Sequence, residues 1–349
     1  MLDLSINLDA TTNFLVNLLN IPSPTGYHQE AIPFVQRAFD SIPGVSTHLT
    51  HKGALVATVR GRSSSAPRAV SAHVDTLGAM VKEVKGSGRL KLTVIGGVLM
   101  NTVENENVTI RTFDDQRYRG TILPVGSGGH VNNKLGEQPR TPDMMEVRID
   151  ARTTSAAETR ALGIEVGDFA FFDPRVEVVN GFIRSRHLDN KAGVAAIYAA
   201  LAAMQLADVQ PAQDTHVLIS NYEEVGHGGT NGLPADLAEF VVVDMGALGD
   251  GQSGDEFSVS ICTKDSSGPY HFDLTNKVRR LAQRYNIPYK LDIYPYYGSD
   301  GSAYWRAGGG ARVALIGPGV DASHAYERTH TDSIQHTAHL IARYLLDEE

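Results

Sequence analysis

The sequence predicts an α/β chain: a mixed-sheet α/β/α domain with a small β-barrel inserted into it. Two observations carry this. Helical and buried-strand patterns alternate at both ends of the chain, whereas between about Leu77 and Val179 they give way to short β-type runs punctuated by Gly, Asn and Asp. Length agrees, because 349 residues correspond to about two domains at roughly 150 residues each. The expected boundaries are residues 1–76 with 181–349 for the α/β domain and 77–180 for the insert.

The first 60 residues read as helix, helix, strand. Leu15 to Leu19 lies in a short apolar helix, and Gln29 to Phe39 resumes a helical period with Ile32, Val35 and Phe39 on one side. The Pro22-Ser-Pro-Thr-Gly26 turn separates them. Leu55–Val59 and Ala69–Ala72 then read as buried strands separated by a polar turn, Gly61 to Pro67, and the second strand runs straight into His73. In the insert, β-type runs fall at Lys91–Ile95, Asn107–Arg111, Arg119–Leu123, Glu146–Ile149 and Asp168–Phe172, with no long helix between them. Beyond Gly181, Asp189 opens an Ala-rich helix to about Leu206, and Thr215–Ser220, Phe240–Val243 and Arg312–Ile316 read as buried strands.

Composition narrows the function. A hydrophobic fraction of 42% excludes a disordered chain. With 31 Lys+Arg against 40 Asp+Glu the net charge is −9, which disfavours nucleic acid and anionic membranes as partners. The single cysteine, Cys262, can form neither an internal disulfide nor a thiolate cluster, so any metal must be held by His and carboxylates. That suits a reducing cytoplasm. Met1-Leu-Asp-Leu-Ser5 lacks the pattern of a secretory signal, and no window approaches a membrane span, so a soluble cytoplasmic protein is expected.

Polar residues fall at the ends of the apolar strands: His73 and Asp75 after one, Glu223 and Glu224 after another, Asp244 after a third. In open α/β sheets ligands gather at the carboxyl ends of strands. His73-Val-Asp75 places both side chains on one face of extended chain, where a carboxylate can orient a metal-bound imidazole. The same spacing also describes a strand-end histidine beside a solvated aspartate. Glu223-Glu224 are adjacent carboxylates that a cation would reconcile, one as ligand and the other as general base, although paired glutamates also make solvated turns. Asp189 by itself could be a helix N-cap, and His330 a structural residue before the last helix. His271 and His324 belong to polar loops, as surface residues or substrate contacts.

Five segments in order resemble the motif series of metallopeptidase family 42, the TET-type aminopeptidases: Ser71-Ala-His-Val-Asp-Thr-Leu-Gly78, Arg186-His-Leu-Asp-Asn-Lys-Ala-Gly193, Asn221-Tyr-Glu-Glu-Val-Gly226, Val243-Asp244 and Arg328-Thr-His330. Gly163–Pro174 resembles the phrase that closes that family's insert, and Gly298-Ser-Asp300 its Gly-Thr-Asp loop. The resemblance implies a phosphorylase/hydrolase-like fold and two divalent metal ions, zinc first, with cobalt or manganese as alternatives. It makes Asp189 the bridging ligand, His73 and Asp244 the rest of one site, Glu224 and His330 the other. Glu223 becomes the general base and Asp75 the support of His73. It also implies a cis peptide after Asp189, short peptides as substrates, and self-association through dimers up to a dodecamer in which the insert takes part. His227-Gly228 and Thr331-Asp332 depart from the family pattern beside the site and are similar to a divergent branch associated with the osmoprotectant N-acetylglutaminylglutamine amide.

Three other readings remain open at this level. A related metal deacylase or carboxypeptidase would use the same ligands without needing a free substrate amine. A catalytically silent oligomeric binding protein would not need Glu223. A glycosidase would use the two glutamates but leave the histidines unexplained, and adjacent strand residues point apart.

Overall fold

The computed structural model describes residues 4–349. Its contacts divide into two units, one ending at Asp75 and resuming over Arg175–Glu349, the other formed by Thr76–Pro174.

The first unit opens with α1 (Leu8–Leu19), whose N-cap Asn7 accepts the Ala10 N–H at 3.0 Å. Then come α2 (Ala31–Asp40), β1 (Val45–Leu49), β2 (Leu55–Val59) and β3 (Ser63–His73). α2 buries Ile32, Val35 and Phe39, the side that the helical period marks. β3 is longer than expected. The segment expected as a turn from Gly61 to Pro67 is mostly strand, because Ser63 pairs with Gln213 and the Ala66 N–H donates to the Gln213 side chain at 3.1 Å. That pairing is tertiary and leaves no local hydrophobic signal.

The second unit holds β4 (Gly78–Val84), β5 (Leu90–Ile95), β6 (Asn107–Arg111), β7 (Arg117–Pro124), β8 (Met145–Ile149), the short α3 (Ala156–Ala161) and β9 (Phe169–Phe172). The six strands close into a barrel in the order β4-β5-β8-β7-β6-β9, around Val81, Leu90, Val108, Ile110, Ile122 and Val147. Closure leaves no unpaired sheet edge.

The chain re-enters the first unit through β10 (Glu177–Val179), β11 (Phe182–Ser185), α4 (Leu188–Leu206), β12 (Gln213–Ser220), β13 (Glu239–Val243), β14 (Gly246–Ala247) and β15 (Val259–Asp265). It ends with β16 (Gly268–Pro269), α5 (Phe272–Arg284), β17 (Tyr289–Ile293), α6 (Asp300–Arg306), β18 (Arg312–Val320), β19 (Glu327–His330) and α7 (Thr331–Leu346). The main sheet runs β1-β2-β12-β3-β13-β18-β15-β16, with β17 paired to β15. Its four central strands, β12, β3, β13 and β18, are mutually parallel, and antiparallel pairs flank them.

Alternation sorts the central strands between two layers. Val241 and Val243 pack with Leu15 of α1, Ala196 of α4 and Ile341 of α7, while Phe240 and Val242 face Tyr304 of α6 and Val313. Both faces are therefore covered, which explains the unbroken apolar runs in the sequence. Each fully buried Val, Leu or Ile contributes about 1.5–3 kcal/mol by area. A separate three-stranded sheet, β10-β11-β19, lies beside the entrance to α4.

Candidate active site

Because β12, β3, β13 and β18 are parallel, their carboxyl ends share one rim, and each delivers polar residues there. His73 is the last residue of β3, Glu223 and Glu224 lie in a 3-10 turn after β12, Asp244 follows β13, and His324 lies in the loop after β18. Asp189 joins them from the first turn of α4. Its peptide bond to Asn190 is cis.

The donor atoms converge. His73 Nε2 lies 3.1 Å from Asp189 Oδ1, 3.7 Å from Asp244 Oδ1 and 3.7 Å from Glu223 Oε2. The other Asp189 oxygen, Oδ2, lies 3.5 Å from His324 Nε2, which is 3.6 Å from Glu224 Oε2. The two oxygens of Asp189 thus face two different groups. Glu223 and Glu224 sit on a turn rather than a strand, so both carboxylates reach the cluster, Glu223 beside His73 and Glu224 beside His324.

Asp75 has a wider role than supporting His73. His73 Nδ1 lies 2.9 Å from the Asp75 backbone oxygen and 3.6 Å from its carboxylate. That carboxylate accepts the Thr25 hydroxyl at 2.6 Å and the backbone N–H groups of Glu223 and Glu224 at 3.2 and 3.3 Å. One buried aspartate therefore ties the end of β3 to the turn after β12. Asp244 is held by its own N–H, which donates to Ile316 at 2.8 Å, and β18 passes so close that a Cβ on Gly317 would lie 1.7 Å from the Asp244 oxygen. Only glycine fits there.

Electrostatics show how crowded the charges are. Burial pushes the carboxyl groups of Glu223 and Glu224 well above the usual range, reinforced by Asp244, Asp300 and Glu224 around the first and by Asp189 around the second. Burial also raises Asp244 and lifts Asp300 to about 6. The His324 imidazole is pushed up to about 10, chiefly by its contact with Asp189. Burial alone would lower His73, but Asp189, Asp244, Asp75 and Glu223 hold it well above its ordinary value. Against burial, the two histidines pull Asp189 well below the carboxylate range. Positive charge is what this group of side chains lacks.

The donor set fits cations. A tetrahedral ion with ligand bonds of about 2.1 Å separates its ligand atoms by about 3.4 Å, and the contacts above, from 3.1 to 3.7 Å, bracket that spacing. Two groups of three donors lie within 4.8 Å of one another among the described residues, His73 with Glu223 and Asp244, and His73 with Asp189 and Glu224. Imidazole and carboxylate without thiolate suit Zn²⁺, Co²⁺ or Mn²⁺.

One expected ligand is corrected. His330 is not in the cluster: it caps α7, its Nδ1 accepts the Asp332 N–H at 3.1 Å, and its ring packs 4.9 Å from Phe182 and 5.2 Å from Phe257. His324 stands where His330 was expected. The signal was present, since His324 follows an apolar strand as His73 and Asp244 do, but Gly317-Pro318-Gly319 hid the end of β18 from the strand pattern. Sequence reasoning also missed Glu327. Buried in β19, it accepts the Asp189 N–H on Oε2 and the His324 N–H on Oε1, both at 3.0 Å, and burial followed by Asp189 lifts its carboxyl to about 8.

Comparison with known proteins identifies relatives of the whole chain. YhfE of Bacillus subtilis (strain 168), provisionally named an aminopeptidase, is 48% identical over 336 residues, covering 96% of this chain and 97% of that protein. Among solved structures, aminopeptidase APDkam598 from the archaeon Desulfurococcus kamchatkensis superposes with a TM-score of 0.87 at 21% identity, covering 97% and 95% of the two chains. The Pyrococcus horikoshii TET1 peptidase, described as assembling into a tetrahedron or a large octahedral shell, gives 0.84 at 20% identity over 97% and 99%. These two establish likeness of fold. The profile of the M42 glutamyl aminopeptidase family matches residues 53–340, and with a relative this similar over nearly its whole length the chain belongs to that family of peptide-bond hydrolases.

Proposed function

We propose that this chain is a two-metal aminopeptidase of the cytoplasm that removes N-terminal residues from short peptides and works as a self-associated assembly. The observation that carries the reading is the division of Asp189: one oxygen faces His73, the other His324. A bridging carboxylate needs that arrangement. His73 and Asp244 would complete one site, Glu224 and His324 the other, with zinc the best match and cobalt or manganese also suited to the donors.

Two such ions supply a lowered pKa for water and a polarised scissile carbonyl. The side chains do the rest. Asp189 fixes the spacing of the two sites, and Asp75 orients the turn that carries both glutamates. Glu223, beside His73 and assigned to neither ion in this reading although it lies in reach of one, takes the proton of the attacking water at a carboxylate oxygen and returns it to the leaving amine nitrogen. Self-association follows the assembly described for the Pyrococcus horikoshii protein, with residues 77–180 proposed to take part in it.

The test is a panel of amino-acid amides and dipeptides, free and N-acetylated, assayed with Zn²⁺, Co²⁺ and Mn²⁺. Release of the N-terminal residue from free peptides alone is expected. Cleavage of N-acetylated substrates at equal rates would make the chain a deacylase, and no metal-dependent release from any substrate would make it a binding protein.

A further inference from the structure

Two segments far apart in sequence meet at Glu327. The first runs from β11 through His187, which adopts a left-handed backbone with φ of 76°, into Asp189; the second is the loop after β18, where His324 is also left-handed with φ of 64°. Such a conformation costs a non-glycine residue about 1–2 kcal/mol, so it persists only where neighbouring contacts impose it. Glu327 supplies a contact to each segment. It is 2% exposed, pairs with Ser185 across the β11–β19 ladder, and each carboxylate oxygen takes one backbone N–H, from Asp189 on one side and from His324 on the other. The residues it holds are the two whose side chains meet at 3.5 Å on one side of the cluster. A glutamine could not replace it: the single amide oxygen would take one N–H, and the amide nitrogen would confront the other with donor against donor.

We propose that Glu327 is the positioning residue of the half-site formed by Asp189 and His324, setting the distance between them and hence the affinity of the ion they bind. The inference rests on the two-metal reading. It assigns to a residue that touches neither substrate nor ion the difference between a filled and a weakly filled second site. Both of its oxygens are used as acceptors for backbone donors, and an unmet buried N–H would let the strained loop relax.

The experiment uses the full chain, freed of metal and titrated with Co²⁺ alone, reading binding by competition with a chromophoric chelator and by the visible spectrum at each equivalent. Wild type should bind two ions, and His324→Ala should lose one class, which marks the half-site. Glu327→Gln should weaken that same class about 10- to 100-fold and alter its spectrum, leaving the other class as in wild type. Equal weakening of both classes together with a lowered metal-free melting temperature would show a general structural role and overturn the proposal. So would a second affinity and spectrum unchanged by Glu327→Gln. A wild-type chain that binds fewer than two ions overturns the two-metal reading and the proposal with it.

Discussion

Three central strands carry charge at both ends, and the two ends solve the problem differently. At the amino ends, Glu239 of β13 lies opposite Arg68 of β3 and Arg312 of β18 in register. Its carboxylate is 3.3 Å from Arg68, 3.3 Å from Lys277 and 2.9 Å from Arg312, and accepts the Tyr344 hydroxyl at 3.1 Å. Arg68 further donates to the carbonyls of Tyr344, Asp347 and Glu349. Every charge there has a partner within the chain. At the carboxyl ends of β3, β13 and β18, and of neighbouring β12, carboxylates outnumber the two imidazoles. The difference separates a structural cluster, closed by the protein's own cations, from one that the proposed function completes with cations taken from solution.

Substitutions at the two ends should therefore fail in different ways. The largest effect is expected from Asp189→Ala, which removes the residue shared by both groups: elemental analysis should find both ions depleted and peptide hydrolysis should vanish. Two ions retained at full occupancy would remove the bridging role. Next, Glu223→Gln should keep its metal yet lower kcat by about 10²- to 10⁴-fold, the usual contribution of a general base. Substantial retained turnover would transfer the proton to another group. At the amino ends, Glu239→Gln leaves Arg68 without its carboxylate partner and Lys277 with Asp347 alone, and should cost about 3 kcal/mol in urea unfolding, with kcat unchanged. The smallest effect is expected from His330→Ala, which removes a helix cap worth about 1 kcal/mol and should leave metal content intact, whereas His324→Ala should deplete it. If the two histidine variants exchanged these outcomes, the placement of His324 in the site would be wrong.

Much of this was legible in the sequence because the parallel strands are buried on both faces and announce themselves as apolar runs, each ending in a polar residue. That pattern located His73, Glu223, Glu224 and Asp244. It weakened where local composition and tertiary role diverge. β15 (Val259–Asp265) mixes serine, threonine and lysine into its run, and β4 (Gly78–Val84) carries Lys82 and Glu83, so neither stood out. Glu327 was invisible for a different reason: its partners are backbone N–H groups 138 and 3 residues away, and no side-chain pattern records them. The exchange of His330 for His324 shows that a motif matched by neighbouring letters can slip by a few residues, and Asp189, which opens α4, shows that strand ends alone do not find every member of the cluster.

The strand order of the main sheet also bears on when the molecule can act. The cluster draws on β3, β12, β13 and β18, which are adjacent in space but scattered along the chain, with His324 supplied by the loop after β18. The set can therefore form only once β18 and the loop after it have joined the strands that precede them in sequence. A copy unfolded across this sheet, or cut before β18, holds the separate members of the cluster but not the cluster itself.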